Sequence, residues 1–216
     1  MKSEQLPEPL PDDPLSILNA WIADARDSGS YPNADAMALS TVDPAGQPAT
    51  RIVLCKQIIS DPGYVVFYTN YGSAKGHAIA GNAAVSAVFH WDTMNRQARL
   101  EGRATASPAE ESDRYFASRD RESQIGAWAS AQSQIIQERA QLLRAMQAME
   151  QRFADTAVIP RPPHWGGYRI WLSAVELWVR GEARLHDRGR WERHLGDEQG
   201  DGSYRPEGWQ SARLQP

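Results

Sequence analysis

The sequence has little of several features that define common protein classes. A single cysteine, Cys55, excludes an intramolecular disulfide and a metal site built from several thiolates. No apolar stretch approaches membrane-spanning length, and residues 1–14 show no positively charged segment leading into an apolar run. These absences predict a cytoplasmic protein without a secretion signal or a membrane span. The formal net charge of −4 gives no electrostatic reason to bind nucleic acid.

The short motifs of several enzyme classes are also missing. Neither a Gly-x-Gly-x-x-Gly fingerprint nor a P-loop occurs, which argues against a Rossmann-type dinucleotide site and a nucleotide hydrolase. There is no Gly-x-Ser-x-Gly element, and the 5 histidines lack the paired spacing of a zinc motif. Because no nucleophile–base pair or metal site is evident, we expect a bound cofactor to carry any chemistry.

Ordinary globular composition, with 41% hydrophobic and 23% charged residues among 216, predicts a folded chain. Short runs of β-type residues with hairpin spacing alternate with helical patterns. We predict strands at residues 37–42, 50–56, 64–69, 85–91, 97–106, 168–172, 176–180, 183–188 and 209–214, and helices at 14–26, 73–81, from 108 and at 134–153. This order predicts a mainly β fold of the α+β class, an antiparallel barrel with flanking helices. Residues 1–12 are predicted to be a flexible segment, and residues 13–216 a single domain.

Helix starts are predicted from capping residues. Asp13 followed by Pro14 is typical of an N-cap and the first helical position. Ser73 is a candidate N-cap for the next helix. The spacing of Ser107 and Glu110 predicts a capping box.

Cationic side chains occur where an anion could bind. Arg51 and Lys56 flank an apolar run and differ in parity, so a regular strand would send them to opposite faces. Ser73 and Lys75 lie at a predicted helix start, where free N–H groups favour a phosphate. For both pairs the alternative is structural: cations that reach water, and a plain N-cap beside an exposed lysine.

Two further patterns suggest rows of hydrogen-bond donors. Tyr115, Arg119 and Ser123 are spaced four residues apart, so on one continuous helix they would form a ridge suited to a phosphate. Within residues 184–188, a strand would place Arg184, His186 and Arg188 on one face. The alternatives are a solvated helix face and an edge strand with ordinary ion pairs. Tryptophans such as 128, 165 and 178 are more often packing residues than ligand contacts.

Taken in order, these segments resemble the pyridoxamine/pyridoxine 5′-phosphate oxidase family. The matching runs are Arg51–Lys56, Phe67–Tyr71, Ser73–Gly76, Arg96–Gln97, Glu101–Gly102, Ser112–Phe116, Ser123–Ser130, Gln132–Ser133, His164–Tyr168, Arg184–Arg188 and Arg213–Pro216. Their order and spacing, from about residue 13 to the C-terminus, carry the resemblance.

The resemblance implies a split antiparallel β-barrel with flanking helices that binds FMN at the interface of a homodimer. The FMN contacts that it implies are Arg51, Ile52, Val53, Leu54, Tyr68, Thr69, Ser73, Lys75, Gln97, Gln132, Ser133, Trp178 and Arg188. The residues implied to hold the substrate phosphate are Lys56, Tyr115, Arg119 and Ser123. Arg184 and His186 are implied to be the catalytic pair that lies over the substrate ring.

The implied activity is oxidation of pyridoxamine or pyridoxine 5′-phosphate to pyridoxal 5′-phosphate, with oxygen reduced to hydrogen peroxide. Two alternatives stay open. One is a related flavin oxidase acting on another ring, such as a phenazine precursor, and the other is a non-catalytic flavin or pyridoxal phosphate binding protein. The chain departs from the family pattern at Ala74, where arginine is common, and at Val179 and Arg180, where glutamine and glycine are usual. It also lacks the N-terminal Arg-x-x-Tyr pattern that covers the substrate in some members.

Overall fold

The structure, a computed structural model, describes residues 5–216. Its helices are α1 (Pro14–Asp27), α2 (Ala74–Gly81), α3 (Ala109–Ala117), α4 (Arg121–Ala129) and α5 (Arg139–Arg152). Its strands are β1 (Ala36–Val42), β2 (Pro48–Leu54), β3 (Gln57–Ile59), β4 (Tyr64–Asn70), β5 (Ala84–Trp91), β6 (Arg96–Ala106), β7 (Trp165–Val179), β8 (Asp187–Glu192) and β9 (Gln210–Arg213). Among residues 5–216, none of the helices combines the length and the apolar character that a bilayer span requires.

Within residues 5–216 the strands form one nine-stranded antiparallel sheet. Its order is β2-β1-β5-β6-β7-β4-β3, with β8 beside β7 and β9 beside β8. The long strand β7 pairs with β6 along one edge and with both β4 and β8 along the other. The sheet curls and is flanked by the helices, which confirms the predicted α+β split antiparallel barrel.

The main core lies between the sheet and α1. Asp13 caps this helix by accepting a hydrogen bond from the N–H of Leu15 at 3.0 Å, as predicted. Leu15 and Leu18 of the helix are fully buried, and they belong to the same core as Met37 and Leu39 of β1. The alternation of buried and partly exposed residues along β1 follows from the twofold period of a strand.

The prediction of a strand at residues 183–188 is wrong. Glu182–Arg184 form a 3₁₀ turn, and β8 begins only at Asp187. Because β7 and β8 are antiparallel neighbours, the chain must reverse between them. The reversal is so tight that a Cβ on Gly181 would lie 1.8 Å from the carbonyl oxygen of Leu185. Ala183 and Arg184 adopt positive φ of 50° and 66°, so Arg184, His186 and Arg188 share no strand face.

Two helix predictions are also wrong in detail. Ser107 does not cap α3: its backbone N–H continues the sheet by donating to Gly167, and its hydroxyl is buried with no hydrogen-bond partner among the described residues. The predicted continuous ridge is interrupted because α3 ends at Ala117 and Asp120 caps a new helix, α4, through the N–H of Ser123 at 2.7 Å.

The helix predicted at residues 134–153 begins five residues later, at Arg139. Ile135 is 97% exposed and Ile136 is 52% exposed, so the first part of the predicted apolar stripe lies outside the helix and faces solvent. Isoleucine has lower helix propensity than the alanine, leucine and glutamine residues that follow. Only the end of the stripe is covered, where Met146, Met149 and the buried Phe153 belong to one cluster.

The remaining strand predictions hold with two differences. Residues 168–172 and 176–180 belong to one continuous strand, β7, and the short strand β3 was not predicted. Of the segment predicted to be flexible, residues 1–4 lie outside the described part of the chain. Leu6 is buried, and its N–H donates to Asp187 Oδ2 at 2.7 Å. The flexibility of residues 5–12 stays a prediction.

Candidate active site

A cleft of about 450 Å³ opens between β2, β4 and the helices α2, α3 and α4. It brings together most of the residues singled out from the sequence. Its lining includes Ile52, Val53, Leu54, Lys56, Tyr68, Thr69, Lys75, Tyr115, Arg119, Ser123 and Gln132. Residues from six separate regions of the chain therefore converge, although the helix expected to carry three of them is broken.

Lys75 is a buried cation whose hydrogen-bond partners are all neutral. It lies in the first turn of α2, which Ser73 caps by accepting from the N–H of Gly76. Its Nζ donates to Thr69 Oγ1 at 3.0 Å, to Ser73 Oγ at 3.2 Å and to Gln132 Oε1 at 2.8 Å. Burial, and then the charge of Arg51, lower the pKa of Lys75 below its ordinary value. No carboxylate within residues 5–216 forms an ion pair with it.

Arg51 is a partly buried cation whose hydrogen-bond partners are also neutral. Its guanidinium donates to the carbonyl oxygen of Leu39 at 3.2 Å and to Thr41 Oγ1 at 2.8 Å. Desolvation lowers its pKa, and in the described part of the chain no carboxylate is paired with it. Two neighbouring cations that repel each other and lack a counter-ion leave a demand for an anion. This arrangement fits the phosphate group of FMN.

An aromatic stack forms another wall of the cleft. The rings of Tyr68 and Tyr115 lie 3.9 Å apart at 13°, and the Tyr68 and Trp165 rings lie 5.5 Å apart at 10°. The guanidinium of Arg119 lies 4.9 Å from the Trp165 ring centroid, within cation–π range. Glycine at position 166, next to Trp165, leaves room for Tyr71, because a Cβ there would lie 2.1 Å from the Tyr71 hydroxyl.

Two polar atoms of this wall are buried without a hydrogen-bond partner among the described residues: Arg119 Nη1 and the Tyr68 hydroxyl. Burial lowers the pKa of Arg119 and raises that of Tyr68. A buried guanidinium N–H without an acceptor lowers the stability of the fold by roughly 1–3 kcal/mol. These atoms therefore mark a place where a ligand would supply acceptors.

Lys56 and Ser123 line the cleft but already have partners. Lys56 Nζ lies 2.7 Å from Asp35 Oδ2 in a partly buried ion pair. The hydroxyl of Ser123 donates to Asp120 Oδ2 at 2.8 Å, so its oxygen is left to accept rather than donate. Among the four residues predicted to hold the substrate phosphate, Arg119 is therefore the cation that forms no ion pair within the described part of the chain.

A second set of predicted residues lies outside this cleft. In the sheet Gln97 is opposite Trp178, and Trp178 is opposite Arg188. The His186 ring lies 4.6 Å from the Trp178 ring, and its Nδ1 accepts from the N–H of Gly181 at 3.3 Å. Arg184 is exposed in the adjoining turn. We call Gln97, Trp178, Arg184, His186 and Arg188 the sheet-end group.

The other predicted contacts adjoin the cleft without lining it. Arg51 and Ser73 neighbour Lys75, and Ser133 follows Gln132 with a positive φ of 72°. The two residues after Trp178 that depart from the family pattern do not line the cleft. Val179 is buried in the main core, and Arg180 donates to Asn95.

Sequence reasoning missed several residues of this region. Trp165 and Asn70 line the cleft, Asp35 pairs with Lys56, and Glu176 bonds Arg188. The Trp165-Gly166-Gly167 run was a usable signal, because paired glycines beside a tryptophan suggest close packing. Nothing local marks Asp35 or Glu176, whose partners are distant in sequence.

Comparison with known proteins places this geometry in context. Residues 29–153 match the family described as pyridoxamine 5′-phosphate oxidase, and residues 165–216 match the pyridoxine 5′-phosphate oxidase C-terminal dimerisation region. The chain is 48% identical over 185 residues to a pyridoxine/pyridoxamine 5′-phosphate oxidase of Mycolicibacterium smegmatis, covering 84% of this chain and 79% of the relative. A protein of the same name from Paraburkholderia xenovorans is 44% identical over 203 residues, covering 94% and 89%.

Among solved structures, the chain is similar to PhzG from Burkholderia lata 383, crystallised in complex with tetrahydrophenazine-1-carboxylic acid. The TM-score is 0.82 at 27% identity, with 95% of this chain and 94% of that chain covered. The sequence matches extend over the strands, the cleft residues and the sheet-end group alike. The chain belongs to the pyridoxamine 5′-phosphate oxidase family.

Proposed function

We propose that this protein is an FMN-dependent oxidase that converts pyridoxamine or pyridoxine 5′-phosphate to pyridoxal 5′-phosphate, with oxygen reduced to hydrogen peroxide. The observation that carries the proposal is that two sets of cations without carboxylate partners among the described residues lie in or beside one cleft. Lys75 with Arg51 is one set and Arg119 is the other. A flavin phosphate and a substrate phosphate would satisfy both.

In this proposal the start of α2 holds the cofactor phosphate. Lys75 and Arg51 supply charge, and Ser73 and Thr69 supply hydroxyls already directed at the Lys75 ammonium. A helix N-terminus adds free N–H groups and a favourable dipole. Ala74 offers no guanidinium here, so this chain would rely on Lys75 and Arg51 for cationic contacts.

Arg119 would hold the substrate phosphate, together with the Tyr115 hydroxyl and Lys56. Charge-assisted hydrogen bonds from a planar guanidinium suit a phosphate, and stacking on Trp165 fixes the plane. For Lys56 to bind the same phosphate, the anion must share it with Asp35.

We further propose that residues 13–216 form one domain that pairs with a second copy, and that the sheet-end group completes the cleft of the partner. Three observations support this arrangement. The sheet-end group lies outside the cleft of its own chain. Most of this group falls within the matched dimerisation region. Exposed apolar side chains occur both at the cleft and next to the sheet-end group. Ile52 in the cleft lining is 66% exposed, and Leu185 next to His186 is 74% exposed.

FMN held by these residues would supply the acceptor for a hydride equivalent from the substrate 4′ carbon and the means of passing the electrons to oxygen. The chain's own residues then have to bind and orient, because placing two rings at reactive distance supplies much of the rate. Arg184 and His186 would hold the substrate ring against the flavin without forming a covalent bond. We expect this reaction in the cytoplasm.

A second candidate is oxidation of a non-phosphorylated ring, which the similarity to PhzG favours. Under that function the buried, unpartnered Nη1 of Arg119 would need a different acceptor, such as a carboxylate. A non-catalytic flavin-binding role is the third possibility.

Absorbance spectroscopy separates these functions. The purified protein, supplied with FMN, should show bound-flavin bands that bleach when pyridoxamine 5′-phosphate is added without oxygen and return when air is admitted. Bleaching by a phenazine precursor alone would support the second candidate. Bound flavin that no substrate bleaches would identify a binding protein, and failure to bind FMN would overturn the proposed function.

A further inference from the structure

Glu176 is a buried carboxylate between arginines from both neighbouring strands. It lies on β7, is 3% exposed, and faces Arg99 of β6 and Arg188 and Arg190 of β8. Its Oε2 accepts from Arg99 Nη1 at 3.2 Å and lies 3.8 Å from Arg190 Nη1. Its Oε1 accepts from Arg188 alone.

The contacts of Arg188 fix its guanidinium in one plane. Nε and Nη2 donate to Glu176 Oε1 at 3.0 and 2.8 Å, and Nη1 donates to the carbonyl oxygen of Gln215 at 2.8 Å. A guanidinium has five N–H donors in a rigid fork, so two remain for a ligand. The side chain is 24% exposed, which leaves that edge accessible.

Stability alone gives little reason to keep this carboxylate. The cost of taking a carboxylate and its partners out of water is comparable to the Coulombic gain, so well-packed apolar residues often do as well. A carboxylate does have one property that an amide lacks: both oxygens accept hydrogen bonds. An amide at position 176 would turn an NH₂ group toward either Arg99 or Arg188, whose facing groups are all donors.

We propose that Glu176 is a positioning residue that holds the Arg188 guanidinium in the orientation needed to contact FMN. The proposal rests on the proposed function, in which Arg188 is a cofactor contact. Glu176 does not touch the cofactor and acts only through Arg188.

A double-mutant cycle tests this role. The dissociation constant of FMN is measured by quenching of flavin fluorescence for the wild type, Glu176→Gln, Arg188→Ala and the double variant, and the unfolding midpoint of each apoprotein is recorded. We expect each single substitution to raise the dissociation constant about tenfold, the size of a lost charge-assisted hydrogen bond. The double variant should match Arg188→Ala within about twofold, because Glu176 has nothing left to orient.

Glu101→Gln is the matched control. Glu101 accepts from Arg190 at 3.2 Å and lies 3.6 Å from Arg99, so it belongs to the same network but does not contact Arg188. We expect this variant to bind FMN within about twofold of the wild type, whatever its unfolding midpoint.

The outcomes separate the two proposals. Wild-type FMN affinity in Glu176→Gln, or additive losses in the double variant, would overturn the positioning role alone. Failure of the wild type to bind FMN would overturn the proposed function as well. Should Glu176→Gln not fold, Glu176→Asp keeps the charge but withdraws it by one methylene. It should weaken FMN binding too, and wild-type affinity there would overturn the role.

Discussion

At the scale of single residues, two groups of cations among the described residues differ in their partners. Arg188, Arg99 and Arg190 are paired with carboxylates around Glu176. Lys75, Arg51 and Arg119 form no ion pair with a carboxylate among the described residues, and desolvation lowers the pKa of each. Since a charge withdrawn from water without a counter-ion is unfavourable until an anion arrives, the second group marks where we propose that ligands bind.

We predict that FMN affinity falls as pH rises through the lowered pKa of Lys75. The free protein loses the Lys75 proton at a lower pH than an ordinary lysine would, because burial and Arg51 disfavour the charged form. A bound phosphate favours the charged form, so binding takes up a proton in that pH range and is strongest below it. FMN titrations from about pH 7.5 to about pH 10.5 would measure the decline.

Two controls accompany this prediction. Riboflavin lacks the phosphate, so its affinity should stay nearly constant over the same pH range. Lys75→Gln should bind FMN weakly and without the alkaline decline. An equal decline for FMN and riboflavin would show that a group other than Lys75 controls the titration.

At the scale of elements, the helix starts differ in how they are held. Asp13 and Ser73 cap α1 and α2 through side-chain hydrogen bonds, whereas Pro108 occupies the N-cap position of α3 and provides none. Ser107 is held in the sheet by its bond to Gly167, so pairing with β7 prevails over local capping. The turn at 181–186 shows the same priority, since reversal between two paired strands prevails over extended propensity.

We predict that Asp13→Ala lowers the free energy of unfolding by about 1 kcal/mol, because the N–H of Leu15 loses its acceptor. Urea denaturation of the apoprotein would measure the change. Asp12→Ala is the matched control, because Asp12 is exposed and adjacent. This substitution removes the same charge and should lower the free energy of unfolding by only about a few tenths of a kcal/mol. Equal losses for the two variants would contradict the capping role.

At the scale of the whole molecule, the candidate residues divide into a cleft and a sheet-end group that do not meet within one chain. In the homodimer that we propose, the cleft of each copy lies against the sheet-end group of the other, and twofold symmetry makes the two contacts equivalent. Each dimer would then contain two equivalent sites, each built from both subunits.

Subunit complementation tests this division. Arg119→Met and Arg184→Met should each lower kcat/KM about 100-fold as homodimers, because each removes one ligand contact from every site. Co-expressed at equal levels, they should recover about a quarter of wild-type activity, since half of randomly paired dimers are hybrids and each hybrid has one intact site.

Two cleft variants provide the control for complementation. Arg119→Met co-expressed with Lys75→Gln should recover nothing, because every cleft then carries one of the two substitutions. Absence of recovery with Arg119→Met and Arg184→Met would show that a single subunit supplies both groups.

Patterns confined to neighbouring residues were sufficient to predict many of the helix starts and hairpins of this protein. The Asp13 and Ser73 caps, the β1–β2 hairpin and the β5–β6 hairpin follow from spacing and turn chemistry that act within a few residues. The short motifs around Lys75, Arg119 and His186 likewise indicated the family, because a motif can be recognised in the sequence without knowledge of the local structure.

Only the tertiary structure decided which of these groups are available to a ligand. Lys56 is paired with Asp35 and Arg188 with Glu176, while Lys75 and Arg119 have no carboxylate partner among the described residues. It also decided that α3 and α4 are separate and that Arg184 lies in a turn. The physical reason is common to all of them: charge compensation, burial and strand pairing depend on contacts between residues far apart in sequence, which local patterns do not encode.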